Sequence, residues 1–205
     1  MKAHGSLVRE LRRLAGSRTA PAGVEPERCE LCGAEIPPDH RHLLHLEERR
    51  IACACETCRA LLSGETPWRP TGTRTLWLPD LDLPDELWAR FRIPIGLAFF
   101  FEGGSADRVV ALYPSPAGAT ESDLDLEAWT ELVAANPVLA GLEPDVEGLI
   151  VDRLAQPARY AVAPIDECYR LVGLIRTAWQ GISGGPNVQA AVESFFAELR
   201  TKAGA

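Results

Sequence analysis

Five of the six cysteines fall between residues 29 and 58, in the strings Cys29-Glu-Leu-Cys32-Gly33 and Cys53-Ala-Cys55-Glu-Thr-Cys58. Twenty residues separate Cys32 from Cys53. A CxxC turn aims two sulfurs at one point, and two such turns can close four thiolates around a single cation. In the first string Gly33 permits the tight turn that frees backbone amides to face the sulfurs. The second string runs on as Arg59-Ala-Leu-Leu62, a good helix start, so Cys55 and Cys58 share one face of a first turn at the positive end of a helix dipole. Between the two pairs, His42 to Cys53 suits a hairpin turning near Glu47–Arg49. Knuckle, hairpin and helix together describe a treble-clef or zinc-ribbon-like four-cysteine module.

Four thiolates in a closed tetrahedron are the donor set of a structural zinc ion, so Cys29, Cys32, Cys55 and Cys58 are the expected ligands. Cys53 is an alternate, two residues before Cys55. His40, His42 and His45 are three of the four histidines in the chain and lie in the same module. With Cys53 they supply enough donors for a second ion. Iron is the rival metal, because two CxxC pairs also hold rubredoxin-type iron. There both pairs are knuckles, whereas here the second continues into a helix. A Rieske centre needs CxH and CxxH pairs, which are absent.

Other chemistries find little footing. Asp39-His40 has the look of a treble-clef nuclease dipeptide, but the proline, asparagine and further histidine of such a site are missing. From Leu46 to Thr201 there is no histidine and no lysine. That stretch cannot build a Ser-His-Asp or Cys-His site, nor a Schiff base. Gly181-Ile-Ser183-Gly-Gly185 therefore reads as the turn into a final helix, and Cys168 as a small buried hydrophobe. The loop from Tyr113 to Ser122 is rich in small polar groups, and Glu121 with Asp166 could supply paired carboxylates. Acidic residues at element ends are commonplace as caps, and that structural reading is preferred to acid–base work. No Walker loop and no GxGxxG motif appears.

The chain has 205 residues, 46% of them apolar and 24% charged, enough to bury a core without help from a metal. Its net charge of −8 argues against a nucleic-acid-coating protein. Residues 1–20 carry five basic groups against Glu10 alone. No secretory signal is visible, and the apolar run Ile95 to Phe101 is too short to span a bilayer. Clustered thiols without an export signal imply a cytoplasmic protein.

The spacing of Leu7, Leu11 and Leu14 predicts a helix over 6–15, followed by a linker to Pro26. Three parts are expected: a basic N-terminal helix and linker (1–26), a zinc-binding module (27–63), and an α+β domain (64–205). Thr73–Leu78 and Ile93–Phe101 read as strands, the second central and covered on both faces, with Arg108–Tyr113 as its hairpin partner. Ser122 with Asp125 suggests a capping box opening a helix through about Ala135. Asp145–Leu154 reads as a second helix. Tyr160–Pro164 reads as a strand, Tyr169–Arg176 as strand or helix. A last helix opens at Gly185-Pro186 and buries Val188, Val192, Phe195, Phe196 and Leu199.

Several stretches together resemble an uncharacterised bacterial family. They are Arg28-Cys-Glu-Leu-Cys32, His40-Arg-His42-Leu43, Cys53-Ala-Cys-Glu-Thr-Cys58, Ile93–Phe100, Tyr113–Ser122, Asp145–Leu149 and Pro164–Gly185. Members of that family are often encoded beside high-affinity, oxygen-tolerant nickel–iron uptake hydrogenases. The resemblance carries no catalytic residue. It implies a setting: an accessory in hydrogenase assembly or operation, with a hydrogenase subunit or maturation factor as protein partner. The expectation is a non-catalytic zinc-binding adaptor. The alternatives are a thiolate-iron electron-transfer protein, or an enzyme with a carboxylate site near the Tyr113–Ser122 loop.

Overall fold

The computed structural model describes residues 26–64, 67–103, 108–115, 118–180 and 185–204. The helix expected over 6–15 and the Gly181–Gly184 turn lie outside them.

Two antiparallel sheets organise the described residues. The first is three-stranded: β1 (Arg41–His45) pairs with β2 (Arg50–Ala54) on one side and β3 (Trp68–Pro70) on the other. The short helix α1 (Glu56–Leu62) follows β2 directly. The second sheet has six strands. They are β4 (Leu76–Trp77), β5 (Leu97–Gly103), β6 (Arg108–Ser115), β7 (Gly118–Glu121), β8 (Glu147–Asp152) and β9 (Arg159–Pro164), in the spatial order β4-β9-β8-β5-β6-β7.

Side-chain alternation along β5 explains why this sheet is covered on both faces. Leu97, Phe99 and Phe101 point to one side, where α4 (Ile165–Ala178) and α5 (Pro186–Ala203) pack with Ile165, Leu171, Phe195 and Phe196. Ala98 and Phe100 point to the other. There Leu87 of α2 (Asp85–Arg90) and Trp129 and Leu132 of α3 (Leu126–Ala135) close the layer. Phe100 stacks on the Trp129 ring at 5.6 Å, and Phe99 meets Tyr169 edge-on at the same distance. A strand that is apolar at every position needs partners above and below, and β5 has both. The fold is thus mixed α and β.

Several expectations need correction. Asp145–Leu154 is not a helix: β8 occupies Glu147–Asp152 between β5 and β9, with all six residues buried. The apolar run Leu149–Val151 is too short to carry a period that separates strand from helix, and the β-branched Ile150 and Val151 favour the strand. Ser122 is not the cap of α3. Asp125 accepts hydrogen bonds from the amides of Glu127 and Ala128, while the Ser122 hydroxyl donates to the Phe91 carbonyl. Tyr169–Arg176 lies within the helix α4. Of the strand foreseen at Thr73–Leu78, only Leu76–Trp77 pairs, at the sheet edge beside β9.

The hairpin and the large sheet meet through one face of β1. Leu44 is buried in the same cluster as Phe99, Phe101 and Cys168, with Ile51 and Leu46 packed against it. Arg49 at the hairpin turn pairs with Glu121 of β7, and His42 with Asp166 at the start of α4.

Candidate metal centre

The knuckle is held by local hydrogen bonds. The Cys29 amide donates to the Ala34 carbonyl and the Gly33 amide to the Cys29 carbonyl, both at 2.8 Å, with Gly33 at φ 77°. A side chain would strain that left-handed position. Glu30 then straps the knuckle to β2: its amide donates to the Cys53 carbonyl, and its carboxylate accepts from the Cys53 amide at 2.8 Å. Sequence reasoning gave Glu30 no role, because its partner is defined only once the hairpin stands beside the knuckle.

The second pair is placed by a change of direction after Ala54. Cys55 is the N-cap of α1, and its sulfur accepts from the Cys58 amide at 3.4 Å. This turn sends Cys55 and Cys58 toward the knuckle. The sulfurs of Cys29, Cys32, Cys55 and Cys58 lie within 4.8 Å of one another, and those of Cys32 and Cys55 are 3.7 Å apart. All four thiols are free. Sulfurs bonded to one zinc at about 2.3 Å are separated by about 3.8 Å along a tetrahedral edge. A disulfide would require about 2.05 Å. The spacing therefore suits thiolates sharing a cation.

The electrostatics agree. Burial pushes the Cys29 thiol up, but the amides of Cys55, Leu31 and Cys32 more than offset this and bring it down to about 6. Cys58 is pushed up to about 12, first by its hydrogen bond with Cys32, then by burial and the other sulfurs. One sulfur ionises readily, and its neighbours then resist adding like charge. A divalent cation removes that conflict, so the donor set fits a metal ion.

Cys53 does not join this group. On β2 it stands opposite His42 in the ladder, and a ring nitrogen of His40, one of His42 and the Cys53 sulfur lie within 4.8 Å of one another. Burial, then the carboxylates of Glu30 and Glu27, raise the Cys53 thiol. His45 lies apart, edge-on to Trp68 at 4.7 Å, its Nδ1 accepting from the Glu48 amide.

The carboxylates considered for acid–base work are engaged separately. Glu121 pairs with Arg49 and Arg108, while Asp166 accepts from His42 and Thr71. Cys168 is fully buried in the core, which pushes its thiol well up.

Fold and site together define a mixed α and β protein with a four-cysteine cluster capable of holding a metal ion. The chain belongs to a family of unknown function, DUF5947, whose model matches residues 28–203. No curated protein and no solved structure matches it. No helix among the described residues is long and apolar enough to cross a membrane.

Proposed function

We propose that Cys29, Cys32, Cys55 and Cys58 hold a structural zinc ion in a treble-clef module, and that the protein is a non-catalytic adaptor. The observation that carries this reading is the convergence of four free sulfurs from two turns to within 4.8 Å of one another. Knuckle, β1–β2 hairpin and α1 follow one another in treble-clef order. Placement of the second pair at a helix start favours zinc over rubredoxin-type iron, which uses two knuckles. A closed four-thiolate shell leaves no open position for substrate, which favours structure over catalysis.

The adaptor surface is the module itself. Helix α1 buries none of its side chains, and Leu61 on it is 70% exposed. A protein partner in nickel–iron hydrogenase assembly or operation, either a subunit or a maturation factor, suits the genomic setting of the family that the sequence resembles. Six free thiols fit a reducing cytoplasm.

Protein purified from native cells without added metal tests both parts. Zinc in proportion to chain, no visible absorption, and co-purification of a hydrogenase subunit or maturation factor are the expected results. Iron–thiolate absorption bands would replace the zinc adaptor with an electron carrier. Zinc with no hydrogenase component retained would leave the metal site standing and remove the setting.

A further inference from the structure

The geometry points to a second metal site made by His40, His42 and Cys53, on the seam between the β1–β2 hairpin and the start of α4. It is separate from the four-cysteine cluster and shares no ligand with it.

His40 carries the strongest sign. Its side chain is 6% exposed, yet its Nε2 is buried with no hydrogen-bond partner among the described residues. The other ring nitrogen, Nδ1, lies 2.9 Å from the Pro37 carbonyl oxygen and 3.2 Å from a Glu27 carboxylate oxygen. Both neighbours only accept, so Nδ1 carries the proton and Nε2 presents a bare lone pair. A buried lone pair with nothing donating to it is the state of a histidine prepared for a metal.

His42 is prepared in the same way. Its Nδ1 donates to Asp166 Oδ2 at 2.8 Å, which leaves Nε2 as the ligating nitrogen. Asp166 is held in turn: Thr71 Oγ1 donates to the same oxygen, and the Glu167 amide donates to Oδ1. A carboxylate that orients a histidine and raises its basicity is the usual outer-shell partner of a metal-bound imidazole. The rings of His40 and His42 meet edge-on at 4.7 Å. Cys53 faces them from β2, fixed through both its amide and its carbonyl to Glu30.

Two imidazoles and one thiolate select a borderline divalent transition ion such as zinc, cobalt or nickel, and reject calcium and magnesium. Three protein ligands leave one tetrahedral position for water or for a donor from a partner. On binding, the Cys53 thiol gives its proton to solvent and its sulfur bonds the ion. A cavity of about 300 Å³, lined by Ile51, Asp166, Glu167, Tyr169 and Arg170, borders His42. An ion here joins the segment before β1 to the β1–β2 hairpin, and the His42–Asp166 hydrogen bond connects it onward to α4.

The test is metal stoichiometry on the full chain, loaded with zinc or with cobalt and then desalted. Two ions per chain are expected in the wild type. His40→Gln and Cys53→Ser should each retain one, with the intense four-thiolate cobalt absorption unchanged, and circular dichroism should report an intact fold. One ion per wild-type chain with a four-thiolate spectrum overturns the second site, a result that needs no variant to fold. One ion with the spectrum of a single thiolate, lost in His40→Gln and kept in Cys58→Ser, sustains the second site and removes the first.

Discussion

The Cys168 sulfur occupies the space that a side chain on Gly148 would need: a Cβ built there meets it at 2.9 Å, and the Phe100 carbonyl oxygen at 3.1 Å. Gly148 lies on β8, between β5 and β9, and Cys168 is fully buried on α4. Helix and sheet approach this closely only because one position lacks a side chain. Gly148→Ala should destabilise the fold by about 1–3 kcal/mol, as overpacking of a tight core does. Pairing it with Cys168→Ala should recover part of that loss, because the sulfur obstacle goes while the carbonyl stays. Denaturant unfolding of both single variants and the double measures the coupling. Strict additivity would show that the sulfur is not the obstacle.

Asp152 and Arg159 give a second stability prediction. The Asp152 side chain is 0% exposed, and its Oδ2 accepts from Arg159 Nε at 2.9 Å and from a terminal nitrogen at 2.5 Å. Its Oδ1 accepts from the amides of Leu154 and Ala155. Arg159 also pairs with Glu193 and covers the Phe196 ring at 4.5 Å, so it joins β9 to α5. Arg159→Met should cost about 3–5 kcal/mol, since it strands a buried carboxylate. Adding Asp152→Asn should restore much of that, because the amide oxygen still serves the two backbone donors. Thermal unfolding should rank the double variant above Arg159→Met alone; the reverse order would show that the charge is not the main cost.

The pH dependence of stability should carry the mark of Glu147. Burial pushes this carboxyl up, but the Arg74 hydrogen bond, then the Glu143 amide, more than offset it and hold the group below the usual carboxylate range. A lowered folded-state value means that the unfolded chain takes up its proton first as pH falls. The contribution is complete above the unfolded value of about 4.3 and is lost as pH drops through the folded one. Wild type should therefore lose stability below about pH 4 more steeply than Glu147→Gln. Unfolding free energies at a series of acid pH values check this, and parallel curves would contradict it.

How much of this was legible beforehand depended on whether the signal was local. Spacing alone brought Cys29, Cys32, Cys55 and Cys58 into consideration, and they converge. The apolar stretch Ile93–Phe101 marks a central strand, which pairs from Leu97 onward, and the stripe Val188, Val192, Phe195, Phe196 and Leu199 marks a helix face of which all but Val188 are buried. The helix expected over Asp145–Leu154 is instead the strand β8, Glu147–Asp152, because its apolar run Leu149–Val151 is too short to show a period. Cys53, His40, His42 and His45 are donors for a second ion in the sequence, but which of them come together is not legible there. Cys53 and Cys55 part company because the chain leaves the strand at Cys55 to cap α1. The partner that fixes the His42 tautomer, Asp166, is 124 positions away. No spacing rule reaches across that distance.

Removing the metal should loosen one part of the module and spare another. The knuckle and α1 bury little besides the Cys29 sulfur, and α1 has no buried residue at all. Their geometry depends on the sulfurs being held together, and an uncompensated thiolate cluster repels itself. The hairpin is anchored differently, through Leu44 in the main core, Ile51 against it, and the Arg49–Glu121 pair. Cys58→Ser, which empties the four-cysteine site alone, should therefore speed hydrogen exchange at the amides of Gly33, Cys58 and Arg59. Exchange at β1 and at β5 should change little. The logic is that of local opening: segments with few apolar contacts open at far lower cost than the global fold. Exchange read by mass spectrometry on peptides spanning the knuckle, hairpin and central sheet separates the cases. Simultaneous loss of protection in all three would mean that the ion supports the whole chain, and that Leu44 does not anchor the hairpin unaided.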